Sequence, residues 1–157
     1  KGSGKDENKR APMYWNKDGN AEGMCKGPAD MDDFRMKFDS LEEQQEDPDS
    51  IYNYVKQVIR VRNQNPVIAR GTTAYLEQYS GEQCFALTRS YEGSNLLLLG
   101  NTSAEAVSVD LTGLTVGGTT AEELVLLGEL YTGEEIAERA GTVVTLPAYS
   151  ILILGEE

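Results

Sequence analysis

Hydrophobic and polar positions follow two different periods along this chain, and the change falls near residue 66. Between Pro48 and Gln64, the residues Ile51, Tyr54, Val55, Val58, Ile59 and Val61 recur at helical spacing. Lys56, Gln57, Arg60 and Arg62 supply the polar side and a positive C-terminal end. Asp47 can accept from free backbone N–H groups and Pro48 suits a first helical position, so the helix is expected to open there. Just before it, Ser40-Leu41-Glu42-Glu43 matches a capping box and predicts a short helix ending near Gln45. Pro66 is expected to stop the long helix and hand over to strand.

From Val67 the period is two. Candidate strands are 73–79, 83–90, 94–100, 106–111, 123–131, 142–146 and 149–154. Turn residues separate them: Ser80-Gly81, Glu92-Gly93, Asn101, Gly117-Gly118, Thr132-Gly133 and Gly141. Short strands with turns between them predict an antiparallel β-sandwich. Residues 121–127 also admit a helix, because Glu122 and Glu123 break the alternation. Residues 1–40 read as irregular, with Gly and Asp/Asn clusters throughout. A loop of that length is out of place in a free-standing domain, so the segment is expected to lie against something larger. The reading is therefore mainly β with an N-terminal helical and loop segment: residues 1–66 form one piece and 67–157 the β domain.

Charge sharpens this division. Residues 1–66 carry 11 Lys or Arg against 13 Asp or Glu, a net of −2. Residues 67–157 carry 3 against 13, a net of −10, and contain no lysine. Such a surface repels phosphate backbones and anionic lipid, which argues against nucleic-acid and membrane-surface partners. No purely apolar run exceeds Leu96–Leu99, far short of a membrane span. No stretch at the start has the order of a signal peptide, which says little about localisation if the chain is a fragment. Cys25 and Cys84 lie in different halves, and their spacing favours two free thiols over one disulfide. The sequence has 0 His, which excludes His-based triads and His metal sites.

Several motifs stand in a distinctive order. They are Lys9-Arg10-Ala11-Pro12-Met13-Tyr14-Trp15, then Asp47-Pro48-Asp49-Ser50-Ile51-Tyr52-Asn53-Tyr54, then Val58-Ile59-Arg60-Val61-Arg62, then Asn65-Pro66-Val67-Ile68. This order resembles the end of the catalytic barrel in α-amylase-family glycoside hydrolases, closest to the α-glucosidase and oligo-1,6-glucosidase branch. The motifs span residues 1–71, and residues 72–157 match by architecture only. Tyr14 departs from that branch, which usually has Gln there, and residues 16–39 also differ. The resemblance implies a (β/α)8 barrel upstream, of which this chain supplies the last loop and last helix, followed by a C-terminal antiparallel β-sandwich. It further implies a retaining parent enzyme acting on α-glucan or malto-/isomalto-oligosaccharides, with no cofactor. Retaining glycosidases need two carboxyl groups about 5–5.5 Å apart. In the family these come from earlier strands, so the chain alone is expected to be inactive.

The resemblance also implies that Arg10 contacts substrate. A guanidinium fork can donate to sugar hydroxyls while a carboxylate orients it. The plainer reading is a solvated arginine with its stem on Trp15. Asp6 is expected to line the same loop. Trp15 suits a loop anchor better than a sugar platform. Asp30, Asp32 and Asp33 lack the turn glycine and closing Glu of a calcium loop. Gly113 to Gly118 lacks a following Lys-Ser/Thr and reads as a turn. Three other readings stay open: a transglycosylating relative such as an isomerase or glucan transferase, a carbohydrate-binding module using Tyr75, Tyr79, Tyr91, Tyr131 or Tyr149, and a purely structural domain.

Overall fold

The computed structural model describes residues 9–18, 25 and 37–156. The chain divides into two compact units, Lys1–Asn53 and Tyr54–Glu157.

In the first unit, helix α1 spans Leu41–Glu46. The capping box is present as expected: Ser40 Oγ accepts from Glu43 N, and Ser40 N donates to Glu43 Oε2 at 3.0 Å. Helix α2 spans Ile51–Gln64, its first turn in the first unit and the rest in the second, and does not open at Pro48. Asp47 Oδ1 is taken by Asp49 N at 3.0 Å, which makes a tight turn of Asp47 to Asp49. Ser50 then caps instead, its Oγ accepting from Asn53 N at 3.2 Å. Asn53 Nδ2 donates back to the carbonyls of Gln44 and Asp47 at 3.0 and 2.8 Å. Those bonds hold the first turn of α2 to α1. Among the described residues of this unit only Ser40 and Ser50 are buried, and no apolar side chain is.

In the second unit, Pro66 does not hand over to strand. It opens a further short helix, α3, over Pro66–Arg70, at a first-turn position where proline loses nothing. The strands are β1 Thr72–Tyr75, β2 Cys84–Tyr91, β3 Ser94–Asn101, β4 Val107–Asp110, β5 Thr115–Val116, β6 Thr119–Thr120, β7 Val125–Leu130, β8 Glu138–Ala140, β9 Val143–Leu146 and β10 Ile151–Gly155. The first expected strand stops at Tyr75, because Glu77–Tyr79 forms a 3-10 turn. The ambiguous stretch at 121–127 is both things: a 3-10 turn at Ala121–Glu123, then β7. Two short pieces have no counterpart in the expectation, the β5–β6 hairpin and β8.

All pairings are antiparallel. One sheet has the order β1-β2-β3-β10-β7 and a second the order β4-β9-β8. Alternation decides what lies between them. Ala86, Leu97, Leu99, Leu152 and Leu154 of the first sheet share a core with Val109, Val144 and Leu146 of the second. Leu111, Leu114, Val116 and Leu124 close it. The opposite face of the five-stranded sheet also buries Leu96 and Ile153. There the backbone of Gly128 lies under Val61 of α2, with Ile153 beside it. The β half is thus a sandwich with helical cover on its outer face, as an antiparallel sheet with two apolar faces requires.

Candidate functional site

The loop that carries Arg10 is described from Lys9 to Asp18. It is positioned by the start of α1. Leu41 N donates to Tyr14 O at 2.9 Å and Glu42 N to Trp15 O at 3.0 Å. Backbone carbonyls of the loop therefore satisfy N–H groups that the first turn of a helix leaves unpaired. Tyr14 closes its own turn by donating its hydroxyl to Lys17 O at 2.9 Å. Arg10 sits on the exposed side of this loop, and Met13 and Trp15 are exposed as well. Asp6 lies outside the described residues, as do Asp30, Asp32 and Asp33. No group of three or more Cys, Asp or Glu suited to a metal occurs among the described residues. Cys25 and Cys84 are not joined in a disulfide.

Carboxylates with altered acidity are structural. Hydrogen bonds from the Ser40 side chain and then its backbone hold Glu43 below the ordinary glutamate range. Thr112, by side chain then backbone, and Thr142 do the same for Asp110. Thr120 does so for Glu123. All three are acceptors in caps or turns, and none faces a second carboxylate in a cleft. Burial, opposed by the Ala137 N–H and aided by Glu129, pushes the Tyr131 hydroxyl up to about 12. The cations of the β half are likewise committed. Arg89 donates to Val67 O at 3.4 Å and Ile68 O at 2.7 Å. Arg139 donates to Leu124 O at 2.6 Å and to Ala121 O. Arg70 lies over the Tyr91 ring, 6.0 Å from its centre.

A second feature had no motif to announce it. Tyr75, Leu76, Glu77 and Gln78 line an open cavity of about 690 Å³. Of the tyrosines named from the sequence as possible carbohydrate contacts, Tyr75 and Tyr149 are exposed, and Tyr79, Tyr91 and Tyr131 are half-buried.

Neither a family model nor a curated protein matches the chain. Solved structures do. Amy13B of Eubacterium rectale is 38% identical over 100% of this chain and 29% of its own, with a TM-score of 0.86. The α-amylase from H. orenii is 22% identical over 92% of this chain and 28% of its own, with a TM-score of 0.69. The trehalulose synthase MutB from Pseudomonas mesoacidophila MX-45 is 25% identical over 74% of this chain and 19% of its own, with a TM-score of 0.57. These are α-amylase-family glycoside hydrolases, and the chain carries the fold of their C-terminal part. It spans under a third of the length of each of these three chains.

Proposed function

We propose that the parent protein is a retaining glycoside hydrolase acting on α-glucosidic bonds, and that this chain completes and stabilises its catalytic barrel. Residues 1–66 would form the last loop and helix of that barrel, and 67–157 the accessory sandwich. One observation carries this reading. Ile51, Val55 and Ile59, spaced to form a single stripe along α2, are 77%, 46% and 53% exposed. A Leu- or Ile-sized side chain gains about 1.5–3 kcal/mol on burial, so a stripe of this kind calls for a partner surface. An upstream barrel supplies one. The complete absence of buried apolar side chains among the described residues of the first unit points the same way.

In this reading Arg10 and Asp6 contribute to substrate binding, and the catalytic carboxylates lie upstream. The α1 N-terminus holds the Arg10 loop, so its guanidinium is presented from a fixed backbone. The test is Arg10→Ala in the parent. A fall in kcat/KM of at least about tenfold on short α-glucosides is expected. Unchanged kinetics would remove Arg10 from the site.

A second reading has its own support. The similarity to a trehalulose synthase leaves room for a parent that transfers or isomerises glucosyl groups. Product analysis of the parent on sucrose and on maltose separates the two: free glucose for hydrolysis, rearranged or lengthened saccharides for transfer.

A further inference from the structure

The first four N–H groups of a helix have no partner within it. In α1 they belong to Ser40, Leu41, Glu42 and Glu43, and each one is satisfied. The capping box takes the outer pair: Ser40 N donates to Glu43 Oε2 at 3.0 Å and Glu43 N to Ser40 Oγ at 3.4 Å. The loop that carries Arg10 takes the inner pair, through Tyr14 O at 2.9 Å and Trp15 O at 3.0 Å. Where the Leu41 and Glu42 N–H groups point depends on where the helix begins, and the box decides that. Glu43 Oε2 also accepts from Ser40 Oγ at 2.6 Å, and Ser40 is fully buried. The Ser40 hydroxyl and N–H hold the Glu43 carboxyl below its ordinary range against partial burial. Lys17, on the Arg10 loop itself, adds its positive charge to their effect. Glu43 is therefore coupled to the loop twice, through the first turn of α1 and through Lys17.

We propose that Glu43 is a positioning residue for Arg10: with Ser40 it fixes the first turn of α1, and the Leu41 and Glu42 N–H groups of that turn fix the loop backbone. The substrate role of Arg10 itself rests on the function proposed above. The link from the turn to Arg10 is short and stiff. Only Ala11, Pro12 and Met13 separate Arg10 from Tyr14, and the ring of Pro12 fixes its φ. On the other side the Tyr14 hydroxyl closes the loop by donating to Lys17 O at 2.9 Å. Without the box the first turn frays, because its N–H groups lose their side-chain acceptors. A helix of 6 residues has no inner turns to resist that. The Tyr14 and Trp15 carbonyls then lose fixed donors, and the guanidinium loses a fixed origin. A small displacement of a group that orients substrate has a large kinetic effect.

The test is the kinetics of the full-length parent on maltose. Glu43→Ala should lower kcat/KM by at least about fivefold, mostly through KM. Glu43→Gln, whose carboxamide oxygen accepts the same bonds, should stay within about twofold of the unaltered protein. Ser40→Ala keeps the backbone half of the box and should fall between the two; where Glu43→Ala does not fold, it carries the same comparison. In an Arg10→Ala background Glu43→Ala should add less than about twofold, because its route to the substrate is already gone. Unchanged kinetics in Glu43→Ala, a loss in Glu43→Gln as large as in Glu43→Ala, or losses that multiply with Arg10→Ala would each overturn the positioning role. Hydrogen exchange at the Leu41 and Glu42 amides gives a readout apart from turnover. It should quicken in Glu43→Ala and not in Glu43→Gln; equal rates in all three proteins overturn the inference, even in a parent inert toward maltose. An Arg10→Ala variant with full activity overturns the substrate role proposed for Arg10. A loss in Arg10→Ala beside none in Glu43→Ala overturns this inference alone.

Discussion

Arg89 reaches back across the sheet to Ile68, its Nη2 donating to the Ile68 carbonyl at 2.7 Å. The same guanidinium donates to Val67 O and to Thr73 Oγ1. One side chain therefore satisfies two carbonyls of the short helix α3 and fixes it to β2. Arg89→Met keeps the apolar stem and removes these bonds. It is expected to cost about 1–3 kcal/mol, because the Ile68 carbonyl loses its donor, while Val67 O keeps its bond from Gly71 N. Urea denaturation followed by circular dichroism measures it. Arg89→Lys should recover little, since a single ammonium cannot fork between Val67 and Ile68. A loss of only a few tenths in Arg89→Met would mean that α3 is held by other contacts.

Gly100 lies directly beneath the Phe85 ring on the paired strand. A methyl group there would fall within the ring, so Gly100→Ala should destabilise by about 1–3 kcal/mol through overpacking. Combining it with Phe85→Leu should recover part of the loss. A double-mutant cycle with an interaction term near zero would show that the ring moves aside freely.

Limited proteolysis should distinguish the two units. Cuts are expected within residues 1–46, while 67–157 resists. The reason is the distribution of burial: the sandwich has a continuous apolar core, and the first unit buries only serines among its described residues. Uniform resistance of the whole monomer would show that the first unit is self-sufficient.

Stability should depend on pH at both extremes. Glu43, Asp110 and Glu123 have folded pKa values below their ordinary ones. Their stabilisation is complete above the unfolded carboxylate pKa and disappears as pH falls through the lowered folded values. Tyr131 is raised, so its effect is complete below the ordinary tyrosine value of 10.0 and lost between there and about 12. A plot of melting temperature against pH should be flat through neutrality and fall on both sides. Asp110→Asn should make the acid limb shallower. Tyr131→Phe should remove part of the alkaline fall.

Much of this was legible in the sequence, and the misses share a cause. The turn residues Ser80-Gly81, Glu92-Gly93 and Asn101 bracket two strands expected at 83–90 and 94–100 and found at Cys84–Tyr91 and Ser94–Asn101. The capping box at Ser40 was legible because side chain and backbone settle it within a few residues. The start of α2 was not, since Asp47 and Ser50 compete for the capping role and only geometry shows that Asp47 bonds Asp49. Pro66 has two permitted uses, ending one helix or starting another, and nothing local chooses. Strands β5, β6 and β8 are too short for a period to register. Arg10 is proposed on motif order rather than on spacing, and nothing local in the sequence singles it out.

The most direct test compares the isolated chain with its full-length parent on starch, maltose and isomaltose under the same conditions, following released or transferred sugar. The account predicts no turnover from the chain, because the carboxylate pair of a retaining glycosidase is proposed to lie upstream of it, and clear turnover of an α-glucoside by the parent. Sugar release by the clean isolated chain, or a parent inert toward every α-glucoside tried, would contradict it.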